Sequence, residues 1–150
     1  MSTRSVTRVQ SRWTEKEEEY KVHARIYRHW DGYPECHGAW LYDFLDGMVV
    51  VNGLTDKEPT KYANGPGRLA AQITAALVKD GHQPDLLSSD YSGLDFEYLV
   101  SVDYGSLGGT ITVEVFSGSI YDEASPLFKG TVEEFGVWLN TTWMRTANNI

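Results

Sequence analysis

Residues 96–115 read Phe96-Glu97-Tyr98-Leu99-Val100-Ser101-Val102-Asp103-Tyr104-Gly105-Ser106-Leu107-Gly108-Gly109-Thr110-Ile111-Thr112-Val113-Glu114-Val115. Phe96, Tyr98, Val100 and Val102 alternate with Glu97, Leu99, Ser101 and Asp103; Ile111, Val113 and Val115 alternate with Thr110, Thr112 and Glu114. Period two marks strands with one buried face. The link Gly105–Gly109 joins the two runs as a hairpin with a longer loop. A short strand around Ile120–Tyr121 is expected to add to the sheet.

Working outward, Val22, Ala24 and Ile26 alternate with Lys21, His23, Arg25 and Tyr27, a further strand that stops at Asp31-Gly32-Tyr33-Pro34. Leu41, Phe44, Leu45 and Met48 then fall on one face of a short helix. Val49–Val51 runs to a turn at Asn52-Gly53. Residues 53–67 and 82–93 read as loops. Between them Leu69, Ile73, Ala76 and Leu77 make a helical stripe that ends near Gly81. Thr131-Val132-Glu133-Glu134 is a capping box, and the helix after it buries Phe135, Trp138 and Leu139. The order β-α-α-β-β-(β)-α implies a single two-layer α+β domain, mostly antiparallel, with helices packed on one face.

Residues 1–18 are expected to be a flexible tail or frayed helix, and residues 19–150 the domain. Arg4, Arg8 and Arg12 recur every four residues with interleaved Ser and Thr, a pattern shared with mitochondrial presequences. Val6 and Val9 give that stretch only a thin apolar face, and the acidic block Glu15–Glu19 follows. No apolar stretch for a secretory signal follows either. The longest apolar run, Met48–Val51, is too short to span a membrane. The single Cys excludes an internal disulfide framework and cysteine-rich zinc sites.

Between Asp80 and Glu134 the chain carries eleven acidic side chains and one basic one, Lys129, against a net charge of −8. A field of that sign repels phosphate backbones, which argues against direct nucleic-acid binding, and steers basic partners. Aspartates recur at Asp80, Asp85, Asp90 and Asp95, followed by Asp122 and Glu123. Tyr91, Tyr104 and Tyr121 lie near them in sequence, and tyrosine is enriched among interface anchors. These nine residues are the expected partner-binding set, for a protein with a basic surface. The same carboxylates also serve as an ordinary solvated surface. Lys21, His23 and Arg25 are expected to pair across strands with Glu97, Asp103 and Glu114.

Two other constellations stand beside the acidic face. Lys61, Tyr62, Asn64, Gly65, Gly67 and Arg68 lead into a helix whose free amides attract anions, with Arg68 able to fork onto a phosphate. They make a nucleotide-type ligand site the alternative reading, although Gly and Pro before a helix are ordinary capping chemistry and the P-loop lysine is missing. The loop His29, Asp31, Cys36 and His37 holds four potential ligands or acid–base groups, the basis of a hydrolase reading. Its spacing fits no common zinc pattern, and the neighbours Cys36 and His37 rarely aim at a common atom. A structural turn accounts for the loop equally well. No cofactor is implied. Trp40, Trp138 and Trp143, with Met144, permit a homo-oligomer.

Ile26-Tyr27-Arg28-His29-Trp30-Asp31-Gly32-Tyr33-Pro34 followed by His37-Gly38 resembles the signature of a group of small uncharacterised phage and prophage proteins. Val51-Asn52-Gly53, Asn64-Gly65, Leu69–Gln72, Leu127–Thr131 and Glu134-Phe135 resemble the later blocks of that group, over about residues 22–139. Cys36 stands where a glycine is typical. The resemblance brings no catalytic residue. It implies a mobile-element origin, a bacterial cytoplasm during infection, and by class an accessory protein that antagonises host machinery or defence. The combined expectation is a non-enzymatic inhibitor acting through the acidic, tyrosine-bearing face.

Overall fold

The computed structural model describes residues 2–14, 18–53, 61–122 and 125–143. The anticipated hairpin is its longest feature: β6 (Phe96–Gly105) and β7 (Gly108–Ser117) pair antiparallel along their whole length. Before them come β1 (Ser5–Trp13), β2 (Lys21–Arg28), a π-helical turn (Pro34–Gly38), α1 (Ala39–Leu45), β3 (Val49–Val51), β4 (Tyr62–Asn64), α2 (Pro66–Lys79) and β5 (Asp85–Leu86). After them come β8 (Phe128–Thr131), α3 (Val132–Val137) and a second π-helical turn (Trp138–Trp143). The strands form one sheet in the order β4-β3-β7-β6-β1-β2-β5, with β8 also on β7. Two pairings are parallel, β1 with β6 and β3 with β4, and the other five are antiparallel. This is a single α+β domain. No helix among the described residues is long and apolar enough to cross a membrane.

The segment expected to be a tail is a central strand. Ser5–Trp13 lies between β2 and β6, and every residue from Ser5 to Ser11 is buried. Arginines four apart share a face of a strand as well as of a helix, because four is an even number. The strand expected near Ile120–Tyr121 is a turn instead, and β8 takes the place beside β7. The edge strands β4, β5 and β8 are short, which limits edge-to-edge pairing.

All three helices cover one face. Leu41 and Leu45 of α1, Leu69, Ile73 and Leu77 of α2, and Phe135 of α3 pack on Val9, Ile26, Tyr98, Val100, Val113 and Val115. Ile73, on the stripe of α2, is fully buried, and burying an aliphatic side chain of this kind contributes about 1.5–3 kcal/mol. Val6, Tyr27 and Leu94 form a smaller cluster on the other face. β6 is therefore covered on both sides over most of its length, and Glu97 and Ser101 of its polar alternation are buried too. Between Val9 and Gln10 the β1–β2 register slips, so that Ala24 faces Val9 and Val22 faces Gln10. His23 is the extra residue of this bulge, and the bulge parts Val22 from Ala24 and Ile26.

Candidate functional site: the cleft over Arg28

β2 ends at Arg28, which pairs with Ser5 and turns its side chain under the sheet edge. Asp31 then takes a left-handed conformation (φ 58°), and Gly32 donates its amide to the Thr3 carbonyl at 2.9 Å. Pro34 opens the π-helical turn, which delivers His37 into the core. From the other side α2 stops in a Schellman motif: Gly81 (φ 86°) donates to the Val78 carbonyl and His82 to that of Leu77. That stop sets the His82 ring against Arg28.

Arg28 is 6% exposed. One terminal nitrogen donates to Nδ1 of His37 at 2.9 Å and the other to Nδ1 of His82 at 3.0 Å. A guanidinium is only a donor, so both Nδ1 atoms accept and neutral His37 carries its proton on Nε2. That Nε2 donates to the Thr7 hydroxyl at 2.6 Å. Burial, then Arg28 and His82, push the His37 pKa down to about 3. His82 is also lowered, by burial and then by Arg28. Burial lowers Arg28 as well, against the opposing field of Asp31. An arginine remains charged all the same. Among the described residues it forms no ion pair.

Above this cation opens a cleft of about 590 Å³ lined by Arg28, His29, Trp30, Asp31, His82 and Asp85, among others. Trp30 is 60% exposed and meets the His29 ring edge-on at 4.7 Å. His37 is fully buried, its proton points toward Thr7, and a base that activated that hydroxyl would need the opposite tautomer. His37 therefore presents no free lone pair to that hydroxyl. His29 bonds the Tyr27 hydroxyl at 2.8 Å, and Cys36 is exposed while His37 is buried, so those neighbours face apart. Among the described residues no group of three His, Cys, Asp or Glu is arranged to hold a metal ion.

The N-terminal strand answers part of the acidic face. Because β1 runs parallel to β6, Arg4, Arg8 and Arg12 meet the acids in order. The Arg4 amide donates to Asp95 at 2.8 Å, Arg8 approaches Glu97 at 3.3 Å and Asp90 at 2.5 Å, and Arg12 donates to Asp103 at 2.7 Å. Arg25 also reaches Asp90, at 3.0 Å. Lys129 reaches Glu114 from β8, at 3.9 Å. Asp80 accepts from the Trp40 indole and Asp122 from the Ser119 amide. Tyr104, at the far end of β6, bonds the Val51 carbonyl and packs on Trp13. Four of the expected partner-binding residues, Asp90, Tyr91, Tyr121 and Asp122, do share a pocket of about 340 Å³. Asp85 belongs to the Arg28 cleft, and Glu123 lies outside the described residues.

Four residues of the anticipated 61–68 site have structural partners. Lys61 donates to the carbonyls of Asp43 and Asp46 and so closes the end of α1, while Asn64 accepts from the Gly53 amide. The Tyr62 carbonyl accepts from Gln72, and Gly65 (φ 95°) caps α2. Gly67 and Arg68 remain exposed in its first turn. Trp40 stacks on Phe44, and Trp138 and Trp143 pack on each other and on Phe128 and Phe96, so all three have partners within the chain. Met144 lies outside the described residues.

Sequence reasoning missed Thr7 and His82. Thr7 sat in the supposed tail, and His82 follows a glycine that marked only a helix stop. Comparison with protein-family models, with curated proteins and with solved structures returns no match.

Proposed function

We propose that the chain is a non-catalytic binding protein that takes the anionic group of a small molecule in the cleft over Arg28. One observation carries this reading: a buried guanidinium lines an open cleft and is held by two neutral imidazoles instead of a carboxylate. Imidazoles accept hydrogen bonds without cancelling charge, and a buried charge is costly unless it is compensated. An entering anion supplies the missing compensation. The cleft's volume lies within the usual range for small-molecule sites, about 300–1,000 Å³. Such a ligand stabilises the folded state, so melting in the presence of phosphate and small carboxylates tests the reading. A raised midpoint that disappears in Arg28→Lys supports it. A midpoint unmoved by millimolar anions, amino acids with their carboxylates included, overturns it.

A second reading, a phage accessory protein that inhibits a basic host protein, is favoured by the pocket shared by Asp90, Tyr91, Tyr121 and Asp122. Within that pocket Arg8 and Arg25 both engage Asp90, which leaves Asp122 as its other carboxylate. Its mobile-element origin rests on the signature alone. Capture of a host partner that weakens with salt, and that fails with Tyr121→Ala, is the expected outcome; capture indifferent to salt counts against it.

A further inference from the structure

The Arg28 cleft holds charges of both signs. Asp31 and Asp85 line it together with Arg28. Both aspartates are exposed, and Asp85 makes no side-chain hydrogen bond or ion pair among the described residues. The Asp31 carboxylate accepts a long bond of 3.4 Å from the Tyr33 hydroxyl. Among its described lining residues the cleft has one guanidinium against two carboxylates. A phosphate dianion reaching Arg28 has to pass two like charges, whereas a single carboxylate with a cationic group behind it meets an opposite charge at each end. The exposed Trp30 adds an aromatic surface of the kind that attracts ammonium and guanidinium groups.

Resting on the anion-site reading, we infer that the ligand is a small zwitterion of amino-acid type. Its carboxylate sits on Arg28, and its ammonium or guanidinium group lies against Asp31, Asp85 and Trp30. The guanidinium suits this, because its planar fork matches a carboxylate and its described bonds to the imidazoles leave further donors. The two-sided charge also gives selectivity, since a plain anion leaves the aspartates unanswered and a plain amine leaves Arg28 unanswered.

The test is titration calorimetry on the whole chain with Trp30 fluorescence as a second readout. The probes are α-amino acids, ω-amino acids from glycine to 6-aminohexanoate, the matched carboxylates, the matched amines and inorganic phosphate. The expected result is a zwitterion bound at least about tenfold tighter than its matched carboxylate, a difference of 1.4 kcal/mol. Asp31→Asn is expected to remove most of that preference, the zwitterion losing affinity relative to its matched carboxylate; asparagine tolerates the left-handed conformation at this position. Carboxylates or phosphate binding as tightly as the zwitterions overturns this inference and leaves the anion site standing. Binding of amines alone, or of no probe, overturns both. Circular dichroism of Asp31→Asn and Asp85→Asn separates lost binding from lost folding.

Discussion

Arg28 donates to Nδ1 of His37 at 2.9 Å, and this one bond sends the imidazole's proton to Nε2, where Thr7 receives it at 2.6 Å. Burial, then Arg28 and His82, bring the His37 pKa down from 6.5 to about 3. The folded chain therefore keeps the ring neutral through a window in which the unfolded chain takes up a proton. Stability is full above the unfolded value and declines as pH falls from 6.5 toward about 3. One group of this kind contributes a slope of at most about 1.4 kcal/mol per pH unit. His23 and His82 are lowered too and act with the same sign. Urea unfolding at about pH 7.5, 6 and 5 is expected to give falling midpoints. His37→Asn is expected to be less stable at the highest pH and to have the flatter profile. A wild-type midpoint constant over that range contradicts a buried neutral His37.

On the opposite face Arg8 and Glu97 sit 3.3 Å apart, with side chains 5% and 2% exposed. Burial raises the Glu97 pKa, against the opposing pull of Arg8, and Glu97 Oε1 has no hydrogen-bond partner. Removing one member of such a pair strands the other, so Arg8→Ala is expected to cost about 3–5 kcal/mol. The double variant Arg8→Met, Glu97→Leu is expected to cost less than the two single changes together. A double-mutant cycle in urea checks this, and strict additivity rejects the coupling.

Deleting residues 2–13 discriminates between a tail and a strand. A tail can be cut with little effect. The structure instead pairs Ser5–Trp13 with β6 and most of that segment with β2, and it buries Val6 and Val9 on opposite faces. The truncated chain is expected to lose its cooperative melting transition and to accumulate as insoluble material. A soluble truncation product with native circular dichroism removes β1 from the sheet.

The hairpin, the α2 stripe and the capping box were legible because each is written in contiguous residues. Period two ran through Phe96–Asp103, and Thr131 and Glu134 satisfy each other's backbone amides as the sequence implied. β1 was not legible, because its inward residues include Ser5, Thr7 and Ser11, whose burial follows from contacts far along the chain. The acidic field was legible as composition, and its pairing with the front of the chain was not. Parallel pairing of β1 with β6 brings the guanidiniums of Arg8 and Arg12 onto Asp90, Glu97 and Asp103, and the Arg4 backbone amide onto Asp95. The Arg28 cleft was half legible. The signature quoted Arg28, Asp31 and His37, but their meeting with Thr7 and His82 is long-range.

Tyr98 ties the cleft loop to the core. Its fully buried hydroxyl donates to the Gly32 carbonyl at 2.7 Å, and burial holds its pKa well above the ordinary tyrosine value, so the donor proton stays in place. Tyr98→Phe leaves that carbonyl unanswered and is expected to cost about 1–3 kcal/mol. Gly32→Ala tests the same anchor by crowding: a Cβ there would lie 2.7 Å from both Ser5 Cβ and the Thr3 carbonyl oxygen. Backbone cannot yield as a flexible side-chain end does, so this change is expected to cost about 1–3 kcal/mol and to displace Asp31. Both variants are therefore expected to weaken ligand binding at the cleft in proportion to the lost anchoring, although neither residue lines it. Thermal melts and calorimetry on the same samples check the two effects together. Lost stability with unchanged affinity would mean that the Asp31 loop keeps its place without the Tyr98 bond, and that the cleft is positioned by Arg28 and its imidazoles alone.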